Sequence, residues 1–327
     1  SFGPLLSIGT GVPNIGAQTR QQIGTKRWSE ELRLRSSALD EKLDYEVGLF
    51  VTDEDSSNRL PPEDVFLNPG AVPFPLGLPL ADAAIQSKYR EYSVFGNATY
   101  ALTPSFDLMA GLRLSRDEQR YDQDYQASLL TPAPVLINQE VAHTKATYLL
   151  SGLYKAARDT AFFGRLATGY RPGGPSALPP NLGKTSFDPD TLTSVELGYK
   201  STLADGKASI EAAIFTTTWK GVQIQTQTAN FQHFVNGGDA RSQGAEATLL
   251  WYPMAGLTLR GTAGYTDARL TEDAPAAGGL NGDRMPFVPK VTASFAVDHR
   301  FAVTKGWQGW LGAAVAHIGE RRSNFTG

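Results

Sequence analysis

The side chains best suited to gripping a ligand are aromatic and basic, and they fall in segments without regular alternation. Tyr121, Tyr125, Trp219, Phe231 and Phe234 offer flat stacking area, while Arg171 and His233 can hold an anionic metal chelate or a sugar hydroxyl. For each of these seven, plain loop packing is the competing use. A second group, Glu196, Lys200, Glu211 and Glu246, alternates with apolar neighbours and shares one polar face. No catalytic constellation accompanies them. His143, His233, His299 and His317 sit in different segments without metal-ligand spacing, so no metal site, no cofactor and no enzyme activity are expected. Asp53-Glu54-Asp55-Ser56-Ser57-Asn58 spaces carboxylates as a calcium loop would but lacks the turn glycine, and reads as a solvated acidic loop. Cysteine is absent, which excludes disulfides, thiolate metal sites and thiol nucleophiles.

The elements that must position these residues are strands. Between Leu192 and Thr202, Val195, Leu197 and Tyr199 alternate with Ser194, Glu196, Gly198 and Lys200, a period of two. Asp205-Gly206 is a tight-turn pair, and Ala208, Ile210, Ala212 and Ile214 then alternate with Ser209, Glu211 and Ala213, completing a hairpin with one apolar face. The same rhythm runs from Gln243 to Trp251, turns at Pro253-Met254-Ala255-Gly256, and returns through Leu257 to Tyr265. Earlier and later segments repeat it near 26–36, 43–51, 92–102, 106–115, 146–154, 162–170, 291–298 and 307–318.

About twelve strands result, joined alternately by short turns and long loops, the latter near 52–87, 117–140, 171–188, 220–235 and 270–289, with a further loop over 1–24. The mean hydropathy of −0.25 does not separate a soluble protein from a transmembrane barrel, because a barrel places apolar residues only at every second position. The segregation of loop lengths does favour the barrel, since an up-and-down barrel gathers short turns at one rim and long loops at the other. A strand of roughly ten residues also spans an apolar band about 25 Å tall at a tilt of about 40°. No segment approaches the roughly 18 apolar residues of a membrane helix. With 30 basic and 33 acidic residues the chain has no electrostatic footprint for nucleic acid. Ser1 opens within a Gly- and Pro-rich stretch, which reads as the start of a processed or partial chain.

Residues 192–265 resemble the carboxy-terminal half of TonB-dependent outer-membrane receptors. The resemblance rests on Thr193-Ser194-Val195-Glu196-Leu197-Gly198-Tyr199-Lys200 followed by Asp205-Gly206, on Asn236-x-Gly238-x-Ala240-x-x-x-Gly244-x-Glu246, and on Gly256-Leu257-Thr258-Leu259 with Gly264-Tyr265-Thr266-Asp267-Ala268. Gly169-Tyr170-Arg171-Pro172-Gly173-Gly174, Pro286-Phe287-Val288-Pro289-Lys290 and Glu30-Glu31-Leu32-Arg33-Leu34 extend it. The resemblance implies an all-β, antiparallel up-and-down transmembrane β-barrel in the bacterial outer membrane, with about twelve strands present of a 22-stranded barrel. On that reading residues 1–327 are one partial barrel domain without the plug, since 22 strands at this spacing need roughly 600 residues.

The resemblance further implies transport of a scarce large solute, a ferric siderophore or similar metal chelate. The implied partners are outer-membrane lipid and lipopolysaccharide, the receptor's own plug domain, and an inner-membrane TonB-type energy coupler. Tyr121, Tyr125, Arg171, Trp219, Phe231, His233 and Phe234 would then face the substrate, and Glu196, Lys200, Glu211 and Glu246 the lumen. A passive porin and a soluble β-rich carbohydrate-binding module remain the alternatives.

Overall fold

The computed structural model describes residues 15–17, 20–62, 65–67, 72–73, 79, 81–128, 131, 133–176, 183–228 and 231–325. Its centre is one antiparallel sheet of twelve strands, each paired with its neighbours in sequence. These are β1 (Gln22–Ala38), β2 (Leu43–Leu60), β3 (Ala83–Thr103), β4 (Phe106–Tyr125), β5 (Val135–Ala157) and β6 (Thr160–Arg171). They continue as β7 (Asp190–Leu203), β8 (Ala208–Lys220), β9 (Ala240–Met254), β10 (Leu257–Leu270), β11 (Val291–Thr304) and β12 (Trp307–Ile318). The expected strand count and up-and-down order are therefore present.

The short turns gather at one rim. At the β7–β8 turn, Ala204, Asp205 and Gly206 all adopt positive φ, the backbone that Asp and Gly tolerate best. At the β9–β10 turn the geometry is stricter. Gly256 has φ +80°, and a Cβ there would collide with the Arg300 carbonyl oxygen of β11. Arg300 N–H in turn donates to the Gly256 carbonyl at 2.8 Å, so the turn is locked against the next hairpin.

The apolar positions point away from the concave side. Leu112 and Leu114 are 59% and 46% exposed, and Leu197, Ile214 and Phe295 are comparably open, while little is fully buried in the sheet. A water-soluble sheet covers such a face; a membrane barrel presents it to lipid. The sheet ends at β1 and β12, whose outer edges have no strand partner among the described residues. Open sheet edges are costly in hydrocarbon, where no water can satisfy their backbone groups.

Several strands run well past the membrane height, which changes the loop boundaries expected from sequence. β2 continues to Leu60 and β3 begins at Ala83, and β4 and β5 reach Tyr125 and Val135. The acidic stretch expected to be a loop is thus part of β2. Asp53 and Asp55 bond Arg90 and Lys88 on the neighbouring strand at 2.5 and 3.4 Å. Cross-strand charge pairs extend the ladder where lipid no longer requires apolar side chains. The segment expected as loop 220–235 contains its own ladder, Gln223–Thr228 against Phe231–Asn236.

Candidate ligand-facing site

The long-loop rim is organised by a node at the top of β6, β7 and β8. Register sets Arg171 opposite Asp190, and Leu192 opposite both Gly169 and Trp219. Arg171 donates to Asp190 Oδ2 through Nη2 at 2.6 Å and Nε at 3.2 Å, and its guanidinium lies 5.5 Å from the Trp219 ring centroid. Asp190 is 1% exposed, so its charge is matched by this contact and by the Gln223 backbone N–H, which donates to it at 3.2 Å. Trp219 packs on the cluster of Val222, Ala240, Leu270 and Ala274. Arg171 and Trp219, both expected to face substrate, are thus engaged in holding the rim.

Two amides tie neighbouring loops to the node. Gln223 Nε2 donates to the carbonyls of Pro172, Asp188 and Arg171, at 2.8, 3.2 and 3.3 Å. Asn236 Nδ2 donates to the carbonyls of Asp188 and Gly221, both at 2.9 Å, and its Oδ1 accepts the Asp188 N–H at 2.7 Å. The motif beginning at Asn236 is therefore a brace between loops 172–189 and 221–239. Gly238 completes it, because a Cβ there would lie 2.7 Å from the Asp273 carbonyl oxygen of the next loop.

The remaining ligand candidates sit around this brace. Phe234 stays 40% exposed, its ring tilted 43° to that of Phe187 with centroids 5.4 Å apart, and its carbonyl accepts from Ser176 Oγ at 3.3 Å. His233 is on the opposite face of the same strand and is buried. Phe231 pairs with Thr228 in the ladder, but its side chain lies outside the described residues. Tyr121 and Tyr125 are on β4, on the concave side above the apolar run that ends outward at Leu114. Burial pushes both phenols up, that of Tyr125 to about 12. The seven candidates therefore divide: Arg171 and Trp219 with the rim node, Tyr121 and Tyr125 on the wall, and Phe231, His233 and Phe234 on one hairpin.

The four residues expected to face the lumen pair only in part. Lys200 and Glu211 are opposite one another and form a 2.7 Å ion pair, with Lys200 Nζ 5.2 Å from the Phe163 ring centroid. Glu196 stands opposite Arg165, and Glu246 opposite Ala213 and Gly264. A denser polar group on the same side was not singled out from sequence. Glu91 accepts from Ser93 at 2.6 Å, from Arg113 at 2.8 Å and from Tyr89 at 2.9 Å. Directly opposite Glu91 on β4, buried Asp117 meets His143 Nδ1 at 3.2 Å, and burial raises its pKa against the lowering effect of His143. The signal lay in the alternation of β3, β4 and β5, but placing these residues together needs the register between them. Among the described residues no three His, Asp or Glu side chains are grouped to hold a metal.

Comparison with known proteins places this architecture. The family model described as "TonB dependent receptor-like, beta-barrel" matches residues 6–327. The metal-pseudopaline receptor CntO of Pseudomonas aeruginosa is 29% identical over 213 residues, 63% of this chain and 28% of the receptor. The pesticin receptor of Yersinia enterocolitica is 27% identical over 207 residues, 63% of this chain and 30% of that one. The chain thus spans about three tenths of the length of these curated relatives. Among solved structures, the ferric yersiniabactin uptake receptor FyuA from Yersinia pestis superposes with a TM-score of 0.75 at 21% identity, covering 93% of this chain and 44% of that one. The siderophore receptor PiuA from Acinetobacter baumannii gives 0.69 at 17% identity, covering 95% and 48%. At these identities the structural likeness concerns the fold.

Proposed function

The chain belongs to the TonB-dependent receptor-like β-barrel family, and on that premise we propose that it is the carboxy-terminal wall of a receptor that actively takes up a metal chelate. Its strands lie in the bacterial outer membrane, with the apolar face toward lipid and the long loops at one rim. The observation that carries the reading is the braced rim: loops 172–189 and 221–239 are cross-linked by Gln223 and Asn236 instead of standing free. A rim held in this way presents a fixed aromatic and polar surface to a large solute.

A ferric siderophore or related chelate is the proposed substrate class, in keeping with the names of the relatives. Phe234, Tyr121 and Tyr125 are the proposed contacts. Arg171 and Trp219 are assigned to shape the rim, and Phe231 and His233 belong to the hairpin that carries Phe234. The receptor's plug would fill the lumen against Glu196, Lys200, Glu211 and Glu246, and an inner-membrane TonB-type coupler would supply the energy. The chain is read as a transporter, not an enzyme. Uptake of radiolabelled ferric chelates in a deletion strain, complemented with the receptor and assayed with and without a protonophore, tests this. Uptake should need both the receptor and the proton gradient. Uptake by the complemented strain that survives the protonophore would make it a passive channel.

A further inference from the structure

We propose that the upper half of β5 is a docking edge for an extended polypeptide, which would add to the wall as a further strand above the membrane. The proposal goes beyond chelate uptake and uses only the membrane placement given above. The first observation is a split in the sheet. β6 pairs with β5 from Thr160 opposite Ala157 up to Ala167 opposite Leu149, while it stays paired with β7 as far as Arg171. Thr168 marks the parting: its Oγ1 accepts the Tyr148 N–H at 2.8 Å and donates to the Tyr148 carbonyl at 3.3 Å. Two residues on, Tyr170 is hydrogen-bonded to Ser115 of β4, so β6 turns to the concave side of the sheet. β5 meanwhile continues to Val135, paired with β4 in unbroken register.

Parity decides which groups are left open. The Lys155 N–H donates to the Ser105 carbonyl, so odd-numbered residues of β5 aim their backbone groups at β4 and even-numbered ones aim theirs away from it. Tyr148, capped by Thr168, obeys this rule. Above it Ala146, Thr144, Ala142, Glu140, Asn138 and Leu136 each turn an N–H and a C=O to the open side, and all six residues are exposed. Among the described residues none bonds to these backbone groups. Free edges are commonly blunted by proline, bulges or outward charges. Here neither a proline nor a register shift interrupts Val135 to Tyr154, and the outward carboxylate of Glu140 is drawn back over β4 by Arg120 at 3.3 Å.

The second observation concerns what fits there. The outward side chains of Tyr148 and Leu150 belong to the apolar band, whereas Thr144, Glu140 and Asn138 above them do not, so the edge stands clear of lipid. Its donors and acceptors repeat every two residues, about 6.7 Å, over a length of about 33 Å. A chelate offers no such periodic row, and an acyl chain has no groups to match it. The backbone of an extended polypeptide has the same repeat, which is the basis of strand addition. Ala142, Thr144 and Ala146 leave space beside the edge for larger β-branched or aromatic side chains on the incoming strand. Glu140, with 72% of its side chain exposed, suits a basic residue opposite it.

The probe is a fluorescent, acetylated dodecapeptide of alternating valine and threonine with one central lysine, added to the full receptor in lipid nanodiscs. Binding is read by anisotropy and by amide hydrogen exchange. In the free receptor the N–H groups of Ala142 and Thr144 should exchange fast and those of Val141 and His143 slowly, and the peptide should protect the first pair. Ala142→Pro removes an outward N–H without touching the β4 ladder, so affinity should fall at least about tenfold, while Ala142→Val should stay within about threefold of the parent. The same peptide N-methylated at alternate amides should not bind. Heat-modifiable gel mobility reports barrel folding for each variant. Slow exchange at Ala142 and Thr144 in the free receptor would overturn the proposal, because the receptor would then cover the edge itself. So would a lack of protection there by the peptide, equal binding to Ala142→Pro, or two receptors joined through this edge in place of the peptide. Chelate uptake should be unchanged in Ala142→Pro, and failure of uptake by the parent receptor would count against the transport reading without touching the edge.

Discussion

Arg171 and Asp190 meet at 2.6 Å where β6 ends and β7 begins, and this contact anchors both the loop between them and the loop that follows β8. Asp190 is nearly sealed from solvent while Arg171 is about half exposed, so the carboxylate depends more on the pair than the guanidinium does.

Asp190→Ala should therefore loosen the rim without unfolding the barrel. Removing the acceptor for Arg171 and for the Gln223 N–H should weaken the local structure by about 1–3 kcal/mol. Limited proteolysis within 172–189 should accelerate while heat-modifiable mobility stays intact. Protection equal to the parent would show that the node does not hold the loop.

Phe234→Ala tests the proposed contact surface. Phe234 is exposed and packs at a tilt against Phe187, so its loss removes aromatic area from the rim and little from the fold. Chelate affinity should fall by about fivefold to tenfold, in the range of one aromatic contact. Fluorescence quenching by the ferric chelate would measure it, and unaltered affinity would remove Phe234 from the site.

Asp117 makes a pH-dependent prediction. Burial raises its folded pKa above the unfolded value, so the folded state binds the proton more tightly. Its contribution to stability is then most favourable at low pH and is lost as pH rises from the unfolded value of about 3.9 through the raised folded value. Asp117→Asn keeps a hydrogen-bonding group beside His143 and removes the buried charge. Relative to the parent, the variant should gain stability at pH 8 and lose that advantage by pH 4. Parallel thermal unfolding curves at both pH values would contradict this.

Two glycine substitutions separate backbone strain from collision. Gly206 has φ +86° with open space around its Cβ position, whereas Gly256 combines φ +80° with contact against Arg300. Gly206→Ala should cost about 1 kcal/mol. Gly256→Ala should cost more, about 3 kcal/mol, because the β9–β10 turn must move away from β11. Urea-induced unfolding in detergent would rank them, and equal midpoints would show that the turn gives way freely.

The sequence by itself determined the strands, their apolar faces, the short-turn rim and the family. Alternation with period two is a local property, and Asp205-Gly206 and Gly256 announce their turns through backbone preferences that involve few neighbours. It also placed Glu196, Lys200, Glu211 and Glu246 on one face, because parity along a strand fixes the side. Three things required the tertiary structure. Strand extension beyond the membrane, as at Asp53–Arg90, depends on cross-strand charge pairs that alternation cannot reveal. The rim contacts of Arg171 came into view because only the folded chain brings Asp190, Trp219 and Gln223 to it. The parting of β6 from β5 at Thr168 depends on the register that each strand keeps with its other neighbour. Register is set by the sum of many inter-strand contacts, so no single stretch of sequence contains it.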